Sequence, residues 1–323
     1  MAILVTGGAG FIGSHMALAL LDLGEKVVIL DNLSTGVRAC LPHDALFVEG
    51  SSGDRALLDR LFAEHDIGAI AHFAASTVVP DSVADPLAYY GNNTVNTHTL
   101  IAAAVAARVP RFVFSSTAAV YGVPQSERVG EDAPTAPISP YGASKLMSER
   151  ILGDVSDAHG LSVAILRYFN VAGADPQGRS GQSTPRATHL IKACLEAALG
   201  KRESVEIFGA DYPTPDGTGV RDYIHVSDLI DAHIAALDSL KAGQRRLLYN
   251  CGYGAGYSVR QVIDAVERVS GRTLNIKVSP RRAGDAASVV ADASAIRRDL
   301  GWRPKYDDLD TIVAHALAWE QRR

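Results

Sequence analysis

Cysteine is scarce. The 323 residues include three, Cys40, Cys194 and Cys251, far apart and odd in number. That pattern argues against a disulfide framework and a zinc site, and it suits buried reduced thiols in a cytoplasmic protein. Long hydrophobic runs are missing as well. No stretch of about 18 apolar residues occurs, so no membrane span is expected. Residues 1–5 lead straight into a strand-like run without a basic segment before it, so no signal peptide is expected either. Positive charge is not in excess: 31 Lys and Arg stand against 36 Asp and Glu, a net charge of -5. A mildly acidic chain lacks the basic surface that a nucleic-acid partner requires, although local arginines can still hold a small anion. Repeats and low-complexity tracts are absent too, and 47% hydrophobic with 21% charged residues is the balance of a globular chain. The length suits one large domain or two coupled lobes.

What the sequence does contain is alternation. Short apolar runs at 3–5, 27–30, 46–48, 69–73, 111–115 and 162–166 read as strands. Helical patterns lie between them, near 11–23, 54–65, 87–108 and 141–155. Strand-helix alternation implies an α/β fold with a doubly wound parallel sheet, which binds ligands at the carboxyl ends of its strands. After about residue 168, Gly, Pro and Asp become dense through 170–185 and 209–219. The expectation is a dinucleotide-binding lobe of residues 1–169, with 221–240 returning to it. A smaller C-terminal substrate-binding lobe is expected from 170–220 and 241–323, with a cleft between the two.

Residues 5–13 read VTGGAGFIG. Gly7, Gly10 and Gly13 follow a strand and open a helix. In that context the first glycine permits a tight turn, the second lets backbone approach a pyrophosphate, and the third lets helix and strand pack closely. The helix N-terminus offers free N–H groups to phosphate. The glycines alone would also suit a simple strand-to-helix turn. Asp31, 18 residues beyond Gly13 at the end of the second strand, can accept hydrogen bonds from an adenosine ribose diol and would repel a 2′-phosphate. Together they indicate an NAD site rather than an NADP site.

Further on, residues 140–145 read PYGASK. Tyr141 and Lys145, four apart, share one helix face. A nearby ammonium favours the phenolate, so Tyr141 could take a proton from a substrate hydroxyl while hydride leaves the adjacent carbon. The same pair also suits an ordinary amphipathic helix start. Upstream, FSST at 114–117 closes a strand with hydroxyls. Thr117 is placed to bond the reacting oxygen; strand-end capping is the plainer alternative.

Together TGGAGFIG, FSSTAAVYG, SPYGASK and LRYFNVAG resemble the extended short-chain dehydrogenase/reductase family, a Rossmann fold. IFGADYPTPDGTGVRDYIHV, with PRRAGD before VADAS, narrows the resemblance to its UDP-glucose 4-epimerase branch, over residues 2 to about 320. The resemblance implies NAD-dependent 4-epimerisation of UDP-galactose and UDP-glucose through a 4-keto sugar, in a homodimer paired through the helices near 87–108 and 141–156. No metal is implied. It makes Tyr141 the base, Lys145 its partner and a nicotinamide-ribose ligand, and Thr117 the residue that steadies the 4-hydroxyl. Gly7, Gly10, Phe11, Ile12, Gly13, Asp31, Asn32, Ser51, Phe73, Ala74, Ala75, Asn92 and Tyr168 fall at cofactor contacts. On the nucleotide-sugar side it places Asn170, Arg221 and Arg282 at the diphosphate, Phe208 beside uracil and Asp285 at the uridine ribose. His189 and Leu190 line the pocket, and Val289 stands near the sugar's 2-substituent.

The chain also departs from the pattern. Ser51 replaces an aspartate that meets adenine, Thr77 a lysine found in some relatives, and His189 an asparagine. A tyrosine at the position of Val289 would exclude an N-acetyl group, so a valine there opens room for one, unless neighbours refill the space. Rival chemistries lack their groups. A nucleotide-sugar dehydratase carries an Asp-Glu pair where this chain has Ala118 and Ala119, and a non-catalytic sensor on this fold commonly loses the Tyr or the Lys.

Overall fold

The computed structural model describes residues 1–184, 188–282 and 285–323. Six strands come from the apolar runs of the first half: β1 (Ala2–Thr6), β2 (Lys26–Asp31), β3 (Leu46–Glu49), β4 (Ile67–His72), β5 (Arg111–Thr117) and β6 (Ser162–Tyr168). Strands such as AILVT and IGAIAH are apolar almost throughout because helices cover both faces. The helices are α1 (Phe11–Asp22), α2 (Arg55–Glu64), α3 (Val79–Ala84), α4 (Pro86–Tyr89), α5 (Asn96–Ala106) and α6 (Pro140–His159). Local chemistry marks their ends. Asp54 caps α2 by accepting from Leu57 N at 3.0 Å. Ser139 caps α6, Pro140 follows as its first residue, and Gly160 ends it in the left-handed conformation.

The remaining strands are β7 (Asn170–Ala172), β8 (Val205–Phe208), β9 (Val220–His225), β10 (Arg246–Cys251), β11 (Gly256–Ser258), β12 (Ile276–Ser279) and β13 (Ser288–Val289). The large sheet is parallel and runs β10-β6-β5-β4-β1-β2-β3. The chain winds outward from β1 to β3 and then restarts at β4. A crevice therefore opens at the carboxyl ends of β1 and β4, where such sheets bind ligands. β9 pairs with β7, β11 and β13, and β8 pairs with β12. Helices α7 (Leu190–Ala198), α9 (Val259–Ser270) and α11 (Leu309–Glu320) pack together beside these small sheets, while α8 (Val226–Lys241) lies on the large one; α10 (Ser294–Leu300) completes the set.

Two features differ from the sequence pattern. The punctuation assigns everything after residue 240 to the second lobe, yet β10 closes the edge of the large sheet beside β6. The segment 221–225, expected to return to the first lobe, is part of β9 in a small sheet; the return is made by α8 and β10. The short run RLLYNC carries no periodicity strong enough to place it. The second difference is the helix expected over 87–108. It is broken by a π-helical stretch at Tyr90–Val95, where Asn92 and Asn93 turn to bond Ser76 in the loop after β4.

Alternation along each strand divides the core. Ile3, Val5, Ile29 and Val113 face α1 and α8, while Leu4, Val28, Phe112 and Phe114 face α2, α5 and α6. Asp222, buried on β9, ties the small sheet to its surroundings by accepting from Tyr253 N, Gly254 N and Ala291 N at 2.9, 2.8 and 3.2 Å.

Candidate active site

β1 ends at Thr6 and the chain turns at Gly7, whose φ of +71° favours glycine. A Cβ there would sit 2.6 Å from Ala74 N, so the loop after β4 presses directly on the turn. A Cβ at Gly13 would lie 2.2 Å from Gly7 O, which is how closely α1 packs on the loop it follows. Gly10 starts α1 without a side-chain cap, and Phe11 and Ile12 form its first turn. The leading N–H groups are thus left for an anion.

Asp31 closes β2 beside this turn and is buried. Its Oδ2 accepts from Ala9 N at 3.0 Å and its Oδ1 from Leu33 N at 2.8 Å. Each carboxylate oxygen keeps a second lone pair for a ribose hydroxyl. Asn32 is exposed next to it, its Oδ1 engaged by Ser34 N at 3.1 Å. Ser51, beyond β3, spends its hydroxyl on Gly53 N at 3.1 Å. Phe73 N donates to Thr6 O at 3.0 Å, which sets Phe73, Ala74 and Ala75 along the mouth of the crevice. Asn92 Nδ2 donates to Ser76 Oγ at 2.9 Å. An uncapped helix start, a glycine turn no side chain could enter and a carboxylate with spare lone pairs fit a dinucleotide. Among the described residues, no group of three or more His, Cys, Asp or Glu is placed to hold a metal ion.

Three strands along, β5 delivers Thr117. Its Oγ1 accepts from Ala119 N at 3.1 Å, capping the short turn that follows. The start of α6 lies on that turn: a Cβ at Gly142 would meet Ala119 O at 2.5 Å. This brings Tyr141 to Thr117. Burial pushes the Tyr141 phenol above its usual value, and the Thr117 side chain facing it pulls it down. One turn on, Lys145 is buried, donates from Nζ to Ser115 O at 2.7 Å and lies 4.8 Å from the Phe114 ring centre. Burial pushes its ammonium down to about 7, against the attraction of Glu149. Lys145 is thus bonded to the strand end, not to the phenol. Tyr168, at the end of β6, is buried and bonded through its hydroxyl to His233.

The nucleotide-sugar candidates gather around the small sheets. The Arg282 guanidinium covers the Phe208 ring at 3.7 Å. Arg221 on β9 donates to Val220 O at 2.8 Å and sits 3.6 Å from Asp285. Val289 on β13 stands in register with Arg221. It is half-buried against an apolar cluster that includes Tyr121 and Phe169, with Ala118 at its edge. Asn170 opens β7 and is exposed. His189 precedes α7, which Leu190 begins, and bonds Gln182 at 2.9 Å. A small cavity is lined by His189 together with Phe11, Gly173 and Trp319. In the PRRAGD motif, Ala283 and Gly284 lie outside the described residues.

Some residues of this region escape the sequence reading. Tyr212 is buried under the Arg281 guanidinium, 4.3 Å away, with no partner for its hydroxyl among the described residues. Asn93 and Ser76 link the π-helical stretch to the crevice. For Asn93, the adjacent asparagines at 92 and 93 within a helical stretch are a signal in the sequence; Ser76 carries none.

Known proteins resemble this chain over nearly its whole length. Residues 3–252 match the NAD dependent epimerase/dehydratase family. The chain is 56% identical over 319 residues to the UDP-glucose 4-epimerase of Azospirillum brasilense, covering 99% of this chain and 92% of that protein. Among solved structures it resembles the UDP-glucose 4-epimerase of Bifidobacterium longum in complex with NAD+ and UDP, with a TM-score of 0.95, 38% identity and coverage of 100% and 98% of the two chains. It also resembles the UDP-Glc/GlcNAc 4-epimerase of Campylobacter jejuni, with a TM-score of 0.87, 47% identity and coverage of 100% and 99%.

Proposed function

The chain belongs to the NAD dependent epimerase/dehydratase family, and we propose that its activity, NAD-dependent 4-epimerisation of UDP-glucose and UDP-galactose, is carried by Thr117, Tyr141 and Lys145. The observation that carries this reading is their convergence at the carboxyl edge of the sheet, beside an uncapped glycine turn with Asp31 at its flank.

The glycine turn and the start of α1 hold the cofactor's diphosphate, Asp31 its adenosine ribose, and Lys145 its nicotinamide ribose. NAD held there would supply reversible hydride exchange with C4 of the sugar, with no net redox change over the cycle. Tyr141 removes the proton of the 4-hydroxyl and gives it back. Thr117, whose oxygen accepts from Ala119 N, has one O–H to donate and turns it from the Tyr141 phenol to the reacting oxygen, which it steadies. Arg221 and Arg282 clamp the diphosphate through guanidinium forks. A firm grip there leaves the 4-keto sugar free to turn over between the two transfers. Asn170, Phe208 and Asp285 complete the uridine diphosphate site, while His189 and Leu190 bound the sugar. Ser51 gives adenine a weaker anchor than a carboxylate would. The cofactor lobe is residues 1–169 with α8 and β10, and the rest of the chain holds the substrate.

Valine at position 289 leaves room beside the sugar's 2-substituent, so UDP-N-acetylglucosamine is a second, slower substrate. The resemblance to the UDP-Glc/GlcNAc enzyme of Campylobacter jejuni supports this. Two copies pair through α4 to α6, where Leu87 and Met147 are 81% and 45% exposed. The enzyme works in the cytoplasm; among the described residues no helix is long and apolar enough to cross a membrane.

The test is Tyr141→Phe. It should abolish conversion of UDP-galactose to UDP-glucose while NAD stays bound. Undiminished turnover in that variant would sink the assignment.

A further inference from the structure

Behind the catalytic edge lies a buried charge pair that the proposed chemistry does not use. Glu149 on α6 and Arg167 on β6 are both almost fully buried. Arg167 grips the carboxylate with two bonds, Nε to Oε1 at 3.0 Å and Nη2 to Oε2 at 2.6 Å. Its remaining Nη1 donates to the Tyr121 hydroxyl at 2.9 Å and to Glu131 O at 3.3 Å. Tyr121 in turn donates to Asn250 Oδ1 at 2.7 Å, on the edge strand β10. The Glu149 carboxylate also accepts from Ser116 Oγ.

Ser116 is the middle residue of the strand end that carries the site. On one side of it, the Ser115 carbonyl receives the Lys145 ammonium. On the other, Thr117 faces the Tyr141 phenol. Glu149 is also one helical turn beyond Lys145, so the carboxylate and the ammonium share a face of α6. A buried charge pair of this kind gives little net stability over an apolar pair, because desolvation offsets most of the attraction. Its presence beneath three site residues calls for a role other than stability.

We infer that Glu149, clamped by Arg167, is a positioning residue: through Ser116 it fixes the strand end that sets Lys145 and Thr117 against Tyr141. This rests on the roles given above to those three residues. The carboxylate has a second effect on Lys145, whose ammonium burial holds at about 7 while Glu149 opposes the loss of its proton. The titratable groups around Lys145 are Tyr141 and Glu149 on its own helix, His72 from β4, and Arg167 and Tyr168 from β6. Glu149 supplies the only negative charge among them while the two phenols are protonated.

The experiment compares wild type with Glu149→Gln and with the double variant Glu149→Gln/Arg167→Met, all loaded with NAD. The single variant leaves Arg167 buried and unpaired and is expected to melt earlier; the double removes both charges and should regain most of that loss. In both, kcat for UDP-galactose should fall by about 10- to 100-fold, the scale of a small misplacement of reacting groups. KM should stay unchanged, and the alkaline limb of the pH profile should move to lower pH as Lys145 loses its proton sooner, by less in the double variant because the Arg167 charge is lost with it. A folded double variant with wild-type kcat and pH profile would overturn the inference, since the pair would then serve folding alone. Tyr141→Phe runs beside them. Were it active, the site reading itself would fall and take the inference with it. Were it inactive while the double variant behaved as wild type, only the role of Glu149 would fall.

Discussion

Asp31→Asn changes one atom and should disable the ribose site for a geometric reason. The carboxylate accepts Ala9 N–H on one oxygen and Leu33 N–H on the other, at 3.0 and 2.8 Å. An asparagine amide has a single acceptor oxygen, so whichever way it turns, its NH2 faces a backbone donor. Leaving that buried N–H unpaired costs about 1–3 kcal/mol. The ribose diol loses as well, because a hydrogen bond to a charged acceptor is worth about 1.5–3 kcal/mol and the neutral amide returns only part of it. The unpaired N–H is present with and without cofactor and so lowers folding stability, while the weakened ribose bond predicts a loss of about 2 kcal/mol in NAD binding, or about 30-fold. NADP should respond in the opposite sense. A carboxylate and a phosphate about 5 Å apart repel by about 3 kcal/mol at an effective dielectric of 20, and the substitution removes that term. The preference for NAD should therefore shrink by two orders of magnitude or more. Calorimetric titration of cofactor-free protein with each dinucleotide measures both constants. NAD binding within threefold of wild type, or equal binding of NAD and NADP by the wild type, would refute the reasoning.

Three other perturbations test separate parts of the molecule. Lys145→Met should lower kcat at least tenfold and move the acid limb of the pH profile upward, because burial already raises the Tyr141 phenol and only the Thr117 side chain is then left to oppose it; a profile unchanged in shape would disconnect the pair. Val289→Tyr should remove activity on UDP-N-acetylglucosamine and spare UDP-glucose, measured as kcat/KM for each; loss of neither would show that Val289 is not the gate. His15, His72, His225 and His233 are buried and held neutral by burial, at about 4, 3, 3 and 4. Their folded values lie below the unfolded value of about 6.5, so stability is full above that pH and is lost as pH falls. Between pH 7.5 and 5.5 each removes about 1.4 kcal/mol, about 5 kcal/mol for the four. The urea midpoint at saturating NAD should drop accordingly, and a flat midpoint over that range would contradict it.

The elements proposed to bind the cofactor are legible because their chemistry is local. A glycine turn, a strand-end acid and a capped helix start each need particular residues at fixed spacing, and VTGGAGFIG, Asp31 and SPYGASK display them. Elements fixed by distant contacts are not. β10 is a six-residue run whose place depends on β6, 83 positions away in register. The π-helical stretch depends on Ser76 bonding Asn93 across a loop. The nucleotide-sugar side became readable only through resemblance, since arginines in a polar segment look like surface charge until Phe208, Asp285 and β9 are brought beside them.

The strand end at 115–117 shows both kinds of information in three residues. Read along the chain, Ser-Ser-Thr offers three similar hydroxyls, of which only Thr117, the last, stands out by its place at the strand end. Alternation separates them. Phe112 and Phe114 face α6, so Ser116, two residues on, faces it too and meets Glu149. Val113 faces the opposite side, and Thr117 shares its parity, which leaves the Thr117 hydroxyl at the rim, away from the charge pair. Ser115 contributes its carbonyl, the one group of a strand residue that no side-chain motif reports, to Lys145. Spacing could therefore find Thr117, Tyr141 and Lys145 as candidates, but the support beneath them passes through a backbone oxygen and the wrong-facing serine. A substitution of Ser116 should accordingly disturb the site more than its distance from the reacting atoms implies, because its hydroxyl joins the strand that carries Thr117 to the helix that carries Tyr141 and Lys145.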